Sequence, residues 1–214
     1  MRRILLCFLA LICFIVASPT ILVRAEFPKP SLYPISWELK FTHGLPRRIV
    51  VQAPCDNVPR AYWYVTYTVT NDSEQEQTFL PTFELLADDG RLIRSDTNIP
   101  AVVFNTIKAQ EKKPLLEPFT TIAGEIRLGE DEARDGVAIF PEPTTRMGHF
   151  SIFVSGLSGE AVNLTDQQGT PVKDAEGQPI ILRKTLRLNY HVRGDEVYPG
   201  EDEVNEKTEE WIMR

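Results

Sequence analysis

Residues 61–70 read AYWYVTYTVT, and this stretch decides the fold class. Ala61, Trp63, Val65, Tyr67 and Val69 alternate with Tyr62, Tyr64, Thr66, Thr68 and Thr70, and all but Ala61 are aromatic or β-branched. A period of two places one set on each face of a pleated strand, and these residue types suit a half-buried sheet surface. Trp63, Val65, Tyr67 and Val69 are the expected core-facing set. Asn71-Asp72-Ser73 reads as a turn and Gln77 to Leu86 as a second strand, so the pair is expected to form a hairpin. Phe79, Phe83 and Leu85 share one parity and extend the inward face.

The opposite face carries Tyr62, Tyr64 and Thr66. If exposed, these aromatic and hydroxyl groups form a candidate binding surface for protein or carbohydrate. The alternative is that a helix or loop covers the two tyrosines.

Outward from this stretch the β pattern continues. Strands are expected at Ile35–Phe41, Arg48–Gln52, Thr121–Leu128, Val137–Phe140 and His149–Ser155, and a long one spans Leu182–Val192 with Lys184 interrupting its apolar side. Residues 100–110 suit one short helix, with Asn98 as its cap, Pro100 in its first turn and Val103, Phe104 and Ile107 on one face. That helix is expected to plug an end or edge of the fold. Gly156 to Pro179 reads as a loop with a turn at Glu176-Gly177, and no internal repeat stands out. The composition is mostly β, with about eight antiparallel strands in an immunoglobulin-like β-sandwich. The sandwich is expected over residues 26–194 and an acidic C-terminal tail over 195–214. The tail reads as extended or weakly helical, with Trp211 and Ile212 as docking points.

Arg2 and Arg3 precede an apolar run from Ile4 to Val16, and Val23-Arg24-Ala25 suits a cleavage site. This predicts a secretory signal peptide over residues 1–25, hence export to the periplasm or the extracellular space. The alternative is an uncleaved anchor from Ile4 to Val23. Residues 1–25 hold three of the 23 basic residues and none of the 30 acidic ones, so the remainder has 20 against 30 and a net charge of −10. Such a surface repels phosphate, which argues against a nucleic-acid partner. Cys55 alone follows the predicted signal, so no internal disulfide is expected; it reads as a small buried hydrophobe, with an interchain partner or a reactive thiol as the alternatives.

Motifs for chemistry are sparse. His43, His149 and His191 fall on separate expected elements, none with a second ligand at zinc-like spacing. Gly156-Leu157-Ser158-Gly159-Glu160 is not G-x-S-x-G and lacks a following helix. Glu130, Asp131, Glu132 and Asp135 lie in a dense acidic stretch, read as a loop, whose oxygens are candidate ligands for a hard cation such as calcium. The spacing is not that of an EF-hand, and a solvated turn with Arg134 pairing locally is the plainer reading. Arg193-Gly194-Asp195 reads as a strand exit, and Asn71-Asp72-Ser73 and Asn163-Leu164-Thr165 fit the glycosylation sequon.

Pro46-Arg47-Arg48-Ile49-Val50-Val51, Tyr62 to Asn71, Gly129 to Phe140, Gly156 to Glu160 and Trp211-Ile212-Met213-Arg214 resemble a family of predicted secreted proteins from planctomycete bacteria. That family has no assigned activity, so the resemblance transfers no functional residue. Roughly residues 45 to 145 are also similar to bacterial extracytoplasmic immunoglobulin-like domains, which bind, space or assemble rather than catalyse. The expectation is an exported, non-catalytic binding or assembly module of the cell envelope, with a protein or envelope polymer as partner and no required cofactor. A metal-assisted hydrolase built on residues 130–135 and a purely structural envelope component are the alternatives.

Overall fold

The computed structural model describes residues 27–54, 57–143, 147–192 and 204–214. The predicted signal segment, Cys55 and the Arg193-Gly194-Asp195 tripeptide lie outside them. The described chain is an antiparallel β-sandwich with two helices. Its strands are β1 (Lys40–His43), β2 (Arg47–Val51), β3 (Arg60–Asn71), β4 (Gln77–Phe79), β5 (Thr82–Ala87) and β6 (Leu92–Arg94). Helices α1 (Ala101–Glu111) and α2 (Phe119–Ile122) follow, then β7 (Gly124–Ile126), β8 (Gly129–Pro141), β9 (His149–Ser155), β10 (Ala161–Asn163), β11 (Ile181–Val192) and β12 (Val204–Met213).

β3 is the spine of the first sheet. β2 pairs with its first half and β1 with its second half, while β8 runs along the opposite edge. The second sheet runs β6-β5-β9-β11, with β10 and β12 also on β11. Trp63, Val65, Tyr67 and Val69 point between the sheets as the alternation requires, against Phe83, Leu85, Phe150, Ile152, Leu188 and Tyr190. Tyr67 and Phe83 rings meet at 4.8 Å and Trp63 and Phe150 rings at 5.6 Å. Tyr67 lies over Gly136 of β8, where an added Cβ would sit 2.4 Å from the phenol ring.

The expected hairpin does not form. Both edges of β3 are occupied, so β4 pairs with β7 and β5 with β9 in the other sheet. The buried Asn71 side chain makes the change of sheet. Its Nδ2 donates to the carbonyls of Gln75 and Ile126, both at 2.9 Å, and its Oδ1 accepts from the Ser73 amide and hydroxyl. Asn71 is therefore closed to glycosylation in the folded chain.

Several boundaries move for local reasons. The strand expected at Ile35–Phe41 begins only at Lys40, because residues 37–39 bond instead to the 157–159 segment. Residues 119–122 are helical, so the strand expected from Thr121 shortens to Gly124–Ile126. Helix α1 starts at Ala101 with Pro100 at the cap position; Asn98 has φ 56 and does not cap it. The expected acidic tail ends as β12, which pairs with β11 from Lys184 to Val192.

The loop after β10 hides a repeat. Leu164-Thr-Asp-Gln-Gln-Gly-Thr-Pro171 and Val172-Lys-Asp-Ala-Glu-Gly-Gln-Pro179 are successive octapeptides. Each folds into the same turn: Asp166 and Asp174 each accept two backbone amides, and Gly169 and Gly177 supply the positive φ of 79° and 82°. Leu164, Val172 and Ile180 close a ring, each amide donating to a carbonyl of the set at 2.8–2.9 Å.

Candidate functional site

The tyrosine face is covered. Tyr62 and Tyr64 retain 4% and 1% of their surface, packed with Val103 and Ile107 of α1, Leu116 and the β8 residues Val137 and Ile139. Helix α1 therefore seals the outer face of the first sheet rather than plugging an end. The Tyr64 hydroxyl donates to Glu111 Oε1 at 2.7 Å, and Arg47 holds the same oxygen at 2.8 Å. Burial, then Glu111, pushes the Tyr64 phenol well up. Thr66 is half-buried and its carbonyl accepts from Gly44. Tyr62 and Tyr64 hold the helix, and the face forms no open recognition surface.

Glu130, Asp131, Glu132 and Asp135 lie on strand β8, not on a loop. An extended backbone alternates its side chains, so neighbours there cannot converge on one ion. Glu130 pairs with Lys40 at 3.2 Å and Glu132 faces Arg127 at 4.0 Å. Asp135 accepts from the Thr68 hydroxyl at 2.5 Å. Arg134 pairs with Glu117 and donates to the Thr121 carbonyl. None of the four acids belongs to a ligand group close enough to share a metal among the described residues.

The titratable groups that do converge are His43, Glu206 and Glu209, whose ligand atoms all lie within 4.8 Å of one another. Glu206 stands opposite Tyr190 and Glu209 opposite Leu188, both core-facing. Residues three apart on a regular strand point to opposite faces. Here the register shifts between Asn189 and Tyr190, leaving Lys207 as the extra residue of a β-bulge. The bulge turns both carboxylates toward the facing sheet, where His43 ends β1. The His43 side chain is 8% exposed. Its Nδ1 lies 3.1 Å from the Gly44 carbonyl and 3.3 Å from the Tyr190 hydroxyl, and its Nε2 lies 3.9 Å from Glu209. Burial, then Glu206 and Glu209, pushes the Tyr190 phenol up.

Sequence reasoning missed this corner because it set His43 on an element of its own and residues 206 and 209 in a tail. No local spacing betrays a cluster that depends on a bulge. The other two histidines meet as well: His149 and His191 stand directly across β9 and β11 with their rings stacked at 4.2 Å.

A second charged cluster explains the interruption in β11. Lys184 is 4% exposed and donates to Glu38 Oε2 at 2.8 Å, with Glu160 Oε2 at 3.6 Å and the Trp211 ring centroid at 4.8 Å. Glu160 also accepts from the Ser31 amide at 2.8 Å and hydroxyl at 2.5 Å. Burial pushes the Glu160 carboxyl up, but the Ser31 hydrogen bonds and the Lys184 ammonium outweigh it and leave it below its ordinary value.

Among the described residues, no helix is long and apolar enough to cross a membrane. No protein-family model, curated protein or solved structure matches the chain.

Proposed function

We propose that the protein is an exported, non-catalytic binding or assembly module of the cell envelope, docking on a protein partner through residues 32–35. The carrying observation is the exposure of Leu32, Tyr33 and Ile35, at 95%, 81% and 74%, on a segment that is tied at both ends. Ser31 is held by the Glu160 carboxylate, and the Trp37 carbonyl accepts from the Gly159 amide at 3.0 Å. Gly159 is packed so closely that a Cβ there would lie 2.4 Å from the Ser36 hydroxyl. Three large apolar side chains on a fastened bow cost little further ordering when a partner covers them, and such exposure marks interaction sites.

The net charge of −10 beyond the predicted signal supports a partner other than nucleic acid. The test is affinity capture from the native envelope fraction with the wild-type chain and with Leu32→Ser/Tyr33→Ser/Ile35→Ser. The reading expects proteins enriched by the wild type and lost with the variant. Nothing enriched above background, or the same set with both baits, refutes it.

A further inference from the structure

We infer that His43, Glu206 and Glu209 form a binding site for a zinc-class divalent cation that ties β12 to β1. This rests on different residues from the docking bow and does not depend on that reading.

The first argument is the direction of the imidazole. Nδ1 lies 3.1 Å from the Gly44 carbonyl, which can only accept, and 3.3 Å from the Tyr190 hydroxyl, which can do either; in the neutral tautomer that donates to the nearer carbonyl, Nε2 presents its lone pair. A ring nitrogen held by a backbone carbonyl is the usual support of a metal-ligating histidine. Nε2 then faces carboxylate oxygen, which also only accepts. In that tautomer three electron-pair donors meet with no proton between them, and a cation resolves the arrangement.

The second argument is how the carboxylates reach the site. A bulge has to place Lys207 out of register before Glu206 and Glu209 share a face. Charged side chains facing inward on an edge strand do have a plainer use, since they discourage pairing with other chains. Either carboxylate alone would serve that use, however, and it requires no histidine on the opposite sheet.

The donor set selects the metal. One imidazole and two carboxylates suit zinc or a similar borderline ion, whereas calcium takes six to eight oxygens. Around a tetrahedral zinc at about 2.1 Å, ligand atoms lie roughly 3.4 Å apart. The present separations, up to 4.8 Å, close by side-chain rotation, and Glu209 is half-exposed and free to turn. Three protein ligands leave a fourth position for water or for a group from a partner.

The test is thermal unfolding of the purified protein with Zn2+, Ca2+ or Mg2+ alone. Zn2+ at a hundredfold excess over its Kd should raise Tm by roughly 5–10 °C, reversibly with chelator. Ca2+ and Mg2+ should leave it unmoved. The shift should vanish in Glu206→Gln/Glu209→Gln, which keeps side-chain shape, and in His43→Gln. It should persist in His149→Ala, which removes the other histidine pair. Bound Co2+ should give visible absorption bands that the double glutamine variant lacks, a readout independent of stability. An unmoved Tm with Zn2+ would mean that the corner is an imidazolium–carboxylate pair, and would overturn the inference. So would a full shift in the double glutamine variant, or a shift that His149→Ala abolishes.

Discussion

Lys184→Met should be among the most damaging single changes outside the apolar core. Methionine keeps the length of the aliphatic stem, so no cavity opens and the loss is electrostatic. The ammonium now satisfies Glu38 at 2.8 Å and Glu160 at 3.6 Å. Removing one partner of a buried pair typically costs about 3–5 kcal/mol, because the other charge stays behind unpaired. Ser31 still donates twice to Glu160, and Glu38 is partly exposed, so the lower end applies, about 3 kcal/mol. For a domain of this size that is a drop in Tm of roughly 6–12 °C. Adding Glu160→Gln removes the orphaned charge and should recover about half of the loss. Urea unfolding of the wild type, both single variants and the double variant measures this coupling. The pH dependence gives a further check. A carboxyl held below its ordinary 4.5 stabilises the fold above that pH and loses the contribution as pH falls through its folded value. Without the ammonium, protonation relieves the orphaned Glu160 carboxylate, so the deficit of Lys184→Met against the wild type should shrink as pH falls below 4.5. A cost below about 1 kcal/mol for Lys184→Met, with no coupling to Glu160, would refute the reasoning.

Burial pushes the Asp96 carboxyl up to about 6, so the folded state holds an extra proton between its ordinary 3.8 and that value. Its contribution is full at low pH and is lost as pH rises to 6 and beyond, so Asp96→Asn should stabilise by about 1–2 kcal/mol at pH 7 and change little at pH 3, by urea melts at both. Gly136→Ala should cost about 2–3 kcal/mol, because its methyl would meet the Tyr67 ring and Ile122 Cδ1 at 2.4 and 2.6 Å; thermal melts report it. Asn71→Ala should cost about 2–3 kcal/mol by leaving the buried Ile126 carbonyl without this donor, measured as a fall in urea midpoint at constant slope.

What could be read from the chain alone was whatever depends on one strand's own alternation. Trp63 to Val69 and Leu186 to Val192 show their inward sets directly, because a pleat imposes a period of two. Pairing is a different matter. The turn at Asn71 looks like a hairpin turn, but whether a hairpin forms depends on β1, β2 and β8 already holding both edges of β3. Covering is non-local as well: nothing in Tyr62 and Tyr64 reveals that Val103 and Ile107 lie above them. Charge misled twice. Residues 130–135 and 205–210 have the composition of solvated loop and tail, yet both are strand. Edge strands carry such residues because they must face water. The His43 corner sums all three difficulties, since it needs the pairing of β12, the bulge at Lys207 and the approach of the opposite sheet.

The octapeptide ring has a practical side. Leu164, Val172 and Ile180 consume one another's amides and carbonyls, so the unit ends in a closed circuit. The flanking strands meet at Asn163 and Ile181, so whatever happens beyond that pair leaves the register of β10 and β11 untouched. The turn tips at Gln167-Gln168 and Ala175-Glu176 are exposed and stand clear of the core. They are natural ports for grafting an epitope, a fluorophore or a longer peptide, each presented on a rigid mount that neither the sandwich nor the His43 corner would notice.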